Sequence, residues 1–105
     1  MDMNVASQLT RVLQTRDMSL DILAIVEQGI VLDDRFNRWF LAAKDNDVDE
    51  GELIDVLERS EPMVTQCCAA AEQYHKDRDA TKLSMAVREY IEKITGIMSV
   101  PLRTK

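Results

Sequence analysis

The stretch 19-SLDILAIVEQGIVLDDRFNRWFLAAK-44 decides the fold. Apolar side chains recur in it every three or four residues, which is the period of a helix and not of a strand. Ser19 is a typical residue to cap the start of a helix, and Gly29 is typical just beyond a helix end. Asp33 or Asp34 could cap another helix. We therefore expect two helices here, with a short break after Gly29.

Helical periodicity continues on both sides of this stretch. Before it, Val5, Leu9 and Val12 fall on one face of a first helix. After it, one helix is expected to follow Asp49, and another to be capped by Asp79. A further helix is expected between these two. The predicted inward residues are Leu53, Val56 and Leu57; then Met63, Cys67, Ala70 and Tyr74, or Val64, Cys68 and Ala71; and finally Leu83, Val87, Ile91 and Ile94.

Proline and glycine positions set the expected helix ends. Pro62 disfavours helical geometry at Glu61, and Ser60 could cap a new helix, so we expect a break near Ser60. Gly96 and Pro101 are expected to end the last helix. Only three glycines and two prolines occur among 105 residues, which leaves little for hairpin turns. The sequence therefore predicts a single all-α domain over residues 1–105, a compact bundle of five or six short helices.

Composition and charge exclude several classes of function. The formal net charge of −6 disfavours binding to nucleic acid or to anionic membranes, both of which require lysine and arginine. No apolar run approaches the roughly 20 residues of a membrane-spanning helix. The N-terminal stretch 1-MDMNVASQLTR-11 lacks the pattern of a signal peptide. The adjacent Cys67 and Cys68 are not a disulfide framework, so we expect a reducing, cytoplasmic compartment.

The surplus of acid is confined to one segment, 44-KDNDVDEGELIDVLERSE-61. It contains eight acids and two bases, a net charge equal to that of the whole chain. Acids at 49, 50 and 52 suit the start of a helix, where they oppose the positive end of its dipole. Capping does not account for the rest. From these we select Asp45, Asp47, Asp55 and Glu58 as the residues of an acidic docking face for a partner protein, possibly a basic one.

A calcium loop is the competing interpretation of the same segment. Asp45, Asp47 and Asp49 have the spacing of the first three ligands of an EF-hand loop. Glu50 stands where that loop needs glycine, and Val56 where it needs a bidentate carboxylate. Only a calcium loop that departs from the EF-hand pattern would remain, and we predict no metal site.

The histidine and the two cysteines could in principle take part in catalysis or metal binding, but each has a simpler structural interpretation. His75 lies near a predicted helix C-terminus, where a surface histidine interacts favourably with the dipole. Cys67 and Cys68 point about 100° apart on a helix, so they are expected to be small core residues and not paired metal ligands. Neither a nucleophile–base pair nor a phosphate-binding glycine loop is evident. We therefore expect no enzyme activity and no cofactor.

One local resemblance lies at the start of the second helix. The stretch 16-RDMSLDILAIVEQ-28 resembles the helix of acyl carrier proteins that carries phosphopantetheine on a serine. Here Met18 separates Asp17 from Ser19, whereas that family has the two residues adjacent. N-capping by itself accounts for Ser19. We assign no carrier function.

The sequence thus predicts a non-catalytic protein–protein interaction module of the adaptor, chaperone or inhibitor type, with its docking face at residues 45–61. A structural homo-oligomer is the alternative, and its apolar interface would use the Trp39–Phe40 region or the Cys67–Ala71 face. A calcium-binding helical protein is the less favoured third hypothesis. We predict no contact with nucleic acid or membrane.

Overall fold

The fold of this chain, described for residues 4–104 by a computed structural model, is an all-α bundle. The all-helical prediction is confirmed, but these residues form four helices and not five or six. Their only strand-like pairing is an isolated bridge between Val48 and Thr104. The start of the N-terminal stretch, residues 1–3, lies outside the described part. The helices are α1 Val5–Leu13, α2 Leu20–Asp45, α3 Glu50–Asp77 and α4 Ala80–Met98.

Helix α2 continues through the expected break at Gly29. Ser19 does cap its start, since the Ser19 hydroxyl accepts a hydrogen bond from the backbone N–H of Ile22 at 3.4 Å. Gly29 is buried, and a Cβ atom there would lie 2.8 Å from Val87 Cγ1 and 2.9 Å from Leu9 Cδ1. This glycine therefore lets α1 and α4 approach α2 closely and does not end the helix.

Asp33 also has a role other than the expected cap. It is buried in the middle of α2, and its Oδ1 accepts a hydrogen bond from the Tyr90 hydroxyl at 2.7 Å. Its Oδ2 accepts bonds from the backbone N–H of Ala6 at 3.2 Å and from Asn37 at 3.4 Å. One carboxylate thus joins α1, α2 and α4. Burial, followed by this hydrogen bond to Asp33, raises the pKa of Tyr90 above its ordinary value.

Helix α3 runs through Pro62, so the break expected near Ser60 is absent from it. Proline removes the hydrogen bond that its N–H would otherwise donate to the carbonyl of Glu58. Glu58 and Pro62 both lie on the exposed side of α3, where water can reach that carbonyl. The Ser60 hydroxyl donates to the Leu57 carbonyl at 3.2 Å within the same helix. Because water can reach the carbonyl that lacks its hydrogen bond, α3 continues through Pro62 without a break.

The four helices are unequal in length, and the short α1 leaves part of the bundle surface uncovered, which is where the candidate site lies. Helices α1 and α4 each pack against both α2 and α3, whereas α2 and α3 scarcely touch each other. The pair α2 and α3 is therefore diagonal in the bundle. Helix α4 has 19 residues and fills one remaining corner, but α1 has nine and fills only part of the other.

The predicted inward faces are confirmed at most positions. Val5, Leu9 and Val12 are buried, as is nearly all of the predicted stripe of α4. Ile91 is only half-buried. The apolar run at residues 22–26 of α2 is only partly enclosed, since Val26 is buried and Ala24 is exposed on the solvent side of the helix.

The α3–α4 turn and the residues that follow α4 complete the bundle. At the α3–α4 turn Arg78 adopts a left-handed conformation, and the Asp79 side chain caps α4 by accepting from the Lys82 N–H at 3.1 Å. Helix α4 continues past Gly96 to Met98. The following residues, 99–104, return to the α2–α3 loop.

Candidate functional site

The acidic segment begins in the loop between α2 and α3. Asn46 caps the end of α2, with its side-chain amide donating to the Ala42 carbonyl at 2.7 Å. Asp47 has a φ of 55°, a left-handed conformation that aspartate tolerates better than most residues. Val48 is buried, and the backbone N–H of Asp49 donates to the Arg103 carbonyl at 2.8 Å. The tail thus holds this loop in place.

The four acids selected from the sequence are all exposed. Asp45 is the last residue of α2 and Asp47 lies in the loop, while Asp55 and Glu58 are neighbours one turn apart on α3. Asp55 pairs with Arg59 at 3.8 Å, but both side chains are more than half exposed. A pair so exposed contributes little to stability. The four carboxylates therefore face solvent, and this exposure is consistent both with a docking face and with a face that is only solvated.

An apolar groove lies between the end of α2 and the first turns of α3, and Glu50 is its one acidic lining residue, whereas none of the four selected acids lines it. It has a volume of about 250 Å³. Ile54 is 56% exposed and Leu57 is 51% exposed, so two large aliphatic side chains face water there. The prediction that Leu57 points inward is wrong, and Leu53 is only half-buried; of that predicted trio Val56 alone is buried. The groove is lined by Phe40 and Lys44 from α2 and by Glu50, Leu53, Ile54 and Leu57 from α3.

The groove is open because α1 is short. The start of α1 lies level with Asp33 on α2 and Val64 on α3, since Val5 lines a second cavity together with these residues. Beyond that level no described helix occupies the corner that α1 would fill. On the opposite side, α4 and the tail continue to the loop, where Arg103 meets Glu52 at 3.6 Å. Among the described residues nothing fills this corner, and Leu57 is therefore exposed.

Acidic residues border the apolar strip at both ends and on one side. Glu50, Ile54, Leu57 and Glu61 follow one another along α3 at spacings of three and four, so they share one edge of the helix. Glu58 lies one turn beyond Ile54. In the sequence analysis Glu50 was explained by the helix dipole, Phe40 was assigned only to the interface of the alternative homo-oligomer, and Ile54 was not selected. The sequence did contain a signal for the exposed apolar residues of α3. The apolar residues at positions 53, 54, 56 and 57 cover more of the helix circumference than one buried face can enclose.

The two cysteines are core residues, as predicted. Cys67 and Cys68 are free thiols, each 1% exposed. Burial, then the neighbouring Cys68 and the Asp33 carboxylate, raises the pKa of Cys67 to about 12. A thiol with so high a pKa is neutral and poorly nucleophilic near pH 7. The structure therefore places no reactive cysteine at this position.

The single histidine differs from its predicted surface position. His75 is half-buried in the last turn of α3, and its Nε2 atom is buried without a hydrogen-bond partner among residues 4–104. Its ring contacts Tyr74 at 6.2 Å between centroids. These contacts bring no carboxylate or nucleophile to His75.

The possible metal ligands do not converge. Asp45 is helical, Asp47 is in the loop and Asp49 is the extended residue before α3. Within residues 4–104 no group of three histidine, cysteine, aspartate or glutamate residues could hold a metal ion. The described helices also include none that is both long and apolar enough to cross a membrane.

Comparison of this chain with protein-family models, curated proteins and solved structures found no match.

Proposed function

We propose that this chain is a non-catalytic protein–protein interaction module, of the adaptor, chaperone or inhibitor type. Its docking face is the acidic segment 45–61, with Asp45, Asp47, Asp55 and Glu58 facing a basic partner. One observation carries the proposal: the segment that holds the whole formal surplus of charge borders an exposed apolar groove. Charge and exposed apolar area in one place are the usual elements of a recognition surface.

The acids act chiefly on the rate of encounter. Their carboxylates are exposed, and among residues 4–104 Asp55 alone of the four forms an ion pair, with Arg59. A patch of one sign attracts a partner of the other sign across about one Debye length, roughly 8–10 Å at physiological salt. Exposed charges change association more than they change final affinity. The apolar groove supplies the area whose burial would hold the partner.

A homo-oligomer remains the second candidate function, and a specific observation favours it. Leu41 is 58% exposed on α2 beside the half-buried Phe40, so the Trp39–Phe40 region retains apolar surface. The Cys67–Ala71 face does not, since Cys67, Cys68 and Ala71 are inside the bundle. Oligomerisation predicts a melting temperature that rises with protein concentration. A monomeric mass at micromolar and millimolar concentration alike would exclude it.

Affinity capture from the source lysate tests the docking face. The wild-type chain is compared with Asp55→Lys/Glu58→Lys and with the matched control Glu27→Lys/Glu92→Lys, which makes the same charge change at exposed positions outside the segment. We expect a specific partner that binds the wild type and the control at low salt, and that is lost at moderate salt or with the first variant. Equal capture by all three proteins would refute the acidic docking face.

A further inference from the structure

The corner of the bundle that α1 leaves empty has a definite shape. On α2 it extends from Phe36 to Asp45, and on α3 from Glu50 to Val64. At 1.5 Å per residue these edges are about 14 and about 21 Å long. Its length corresponds to about three helical turns, and residues 4–104 place no helix there.

We infer that this corner receives an amphipathic helix of a partner protein, with basic residues along the flanks of its apolar face. The inference rests on the proposed function and names the kind of partner. The bound helix would lie end to end with α1, between α2 and α3. It would cover Ile54 and Leu57 and place its basic side chains against Glu50, Glu58 and Glu61.

The bundle itself indicates that the occupant is a helix. In the other half of the same corner, α1 fills the space with Val5, Leu9 and Val12, at spacings of four and three. An amphipathic helix set into an apolar groove uses this same pattern of anchors. The walls of the open half are the same two helices, α2 and α3, so a helix with apolar residues at those spacings fits the vacancy.

The charge of the rim indicates that the occupant is basic. Glu50 lines the groove, Glu58 and Glu61 are exposed on α3 beside or beyond its apolar strip, and Lys44 is the one base among the lining residues. An acidic helix would place like charges together, which is costly at an interface. A second copy of this chain carries the same formal charge of −6, and so it is disfavoured as the occupant.

A synthetic probe tests the inference directly. The probe is a fluorescein-labelled helical peptide of about 14 residues, with leucine at i, i+4 and i+7 and lysine on its flanks. One control peptide has the same composition with its leucines dispersed around the helix. Another has glutamate in place of lysine. Fluorescence anisotropy is measured against the full chain at low and moderate salt.

Matched variants separate the groove from the charge. Ile54→Ser/Leu57→Ser removes apolar area from the groove, and Leu20→Ser/Val31→Ser removes exposed apolar area elsewhere on α2. Glu58→Lys/Glu61→Lys reverses charge at the rim. We expect only the basic amphipathic peptide to bind well, with at least about a tenfold loss for the groove variant, from the area term, and none for its control. The charge variant should bind more weakly with less dependence on salt.

The outcomes distinguish the two proposals. If the dispersed peptide binds as tightly as the amphipathic one, and the groove variant has no effect, the helix inference is wrong while the acidic docking face stands. If neither the groove variant nor the charge variant alters binding, both the helix inference and the acidic docking face are wrong. A dimer that the groove variant dissociates would identify a second copy as the occupant and overturn the inference. Amide chemical-shift changes in the wild type that avoid residues 40–61 would overturn it without any mutation.

Discussion

The two halves of the α2–α3 corner are built from the same helices, yet their chemistry is opposite. In the half covered by α1, Leu9 is fully buried and Asp33 has hydrogen bonds to both carboxylate oxygens. In the open half, Leu57 is half exposed and Glu58 faces solvent. An acid that is bonded by three donors serves the fold, whereas exposed acids beside exposed leucine leave a surface available to a partner. The difference follows from the position at which α1 begins, level with Asp33 and Val64.

Truncating one leucine in each half should give the largest difference. We expect Leu9→Ala to lower the free energy of unfolding by about 2–5 kcal/mol, because it leaves a cavity between α1, α2 and α4. Leu57→Ala should cost less than about 1 kcal/mol, since half of that side chain already contacts water. Urea unfolding followed by circular dichroism measures both. Equal losses would mean that the open half is filled in solution.

Replacing the proline of α3 should stabilise the helix that borders the groove. We expect Pro62→Ala to raise the free energy of unfolding by up to about 3 kcal/mol, because alanine restores a helical N–H and has the highest helix propensity. Chemical denaturation gives the value. A destabilised variant would show that the uninterrupted α3 is not the conformation in solution.

The hydrogen bond between Tyr90 and Asp33 should matter nearly as much. Tyr90→Phe leaves the buried carboxylate without its 2.7 Å donor, and hydrogen bonds to charged groups contribute about 1.5–3 kcal/mol. A double-mutant cycle with Asp33→Ala, which removes the acceptor, measures the coupling of the two side chains by urea unfolding. Additive losses would contradict a direct bond across the closed half.

The buried thiol makes stability depend on alkaline pH. The pKa of Cys67 is about 12 in the folded chain against an ordinary value of 9.0, so the unfolded chain loses this proton first. The stabilisation is complete below pH 9 and is lost as pH rises towards 12. For one such group the free energy of unfolding should fall by about 1 kcal/mol between pH 9 and pH 10. Cys67→Ala should unfold with a shallower pH dependence over that interval, and an unchanged slope would contradict the assignment.

Removing charge from the open half should have the smallest effect on stability. Asp55→Asn breaks an exposed pair with Arg59 at 3.8 Å and relieves repulsion from Glu58, so we expect a change within about 0.5 kcal/mol. Thermal unfolding at low and moderate salt measures it. So small a change would mean that weaker binding by charge variants reflects the docking face and not unfolding. A loss above about 2 kcal/mol in the free energy of unfolding would instead give these acids a structural role.

Much of the fold could be predicted from local sequence. The apolar period of three and four residues identifies every helix, and Ser19 and Asp79 mark two of the helix starts. The same local rules misplaced the breaks. Gly29 and Pro62 interrupt isolated helices, but packing against Leu9 and Val87 needs the glycine, and an exposed turn tolerates the proline.

The candidate site could be predicted only in part. The sequence alone determined that the surplus charge lies in one segment and that Asp45, Asp47, Asp55 and Glu58 belong to it, because charge is a property of composition. Only the tertiary structure decided which apolar residues of α3 are covered. Burial of Leu57 depends on whether another helix reaches its corner, and α1 begins too far along the bundle to do so. Helical period gives the direction of a side chain, whereas its burial is set by what packs against it.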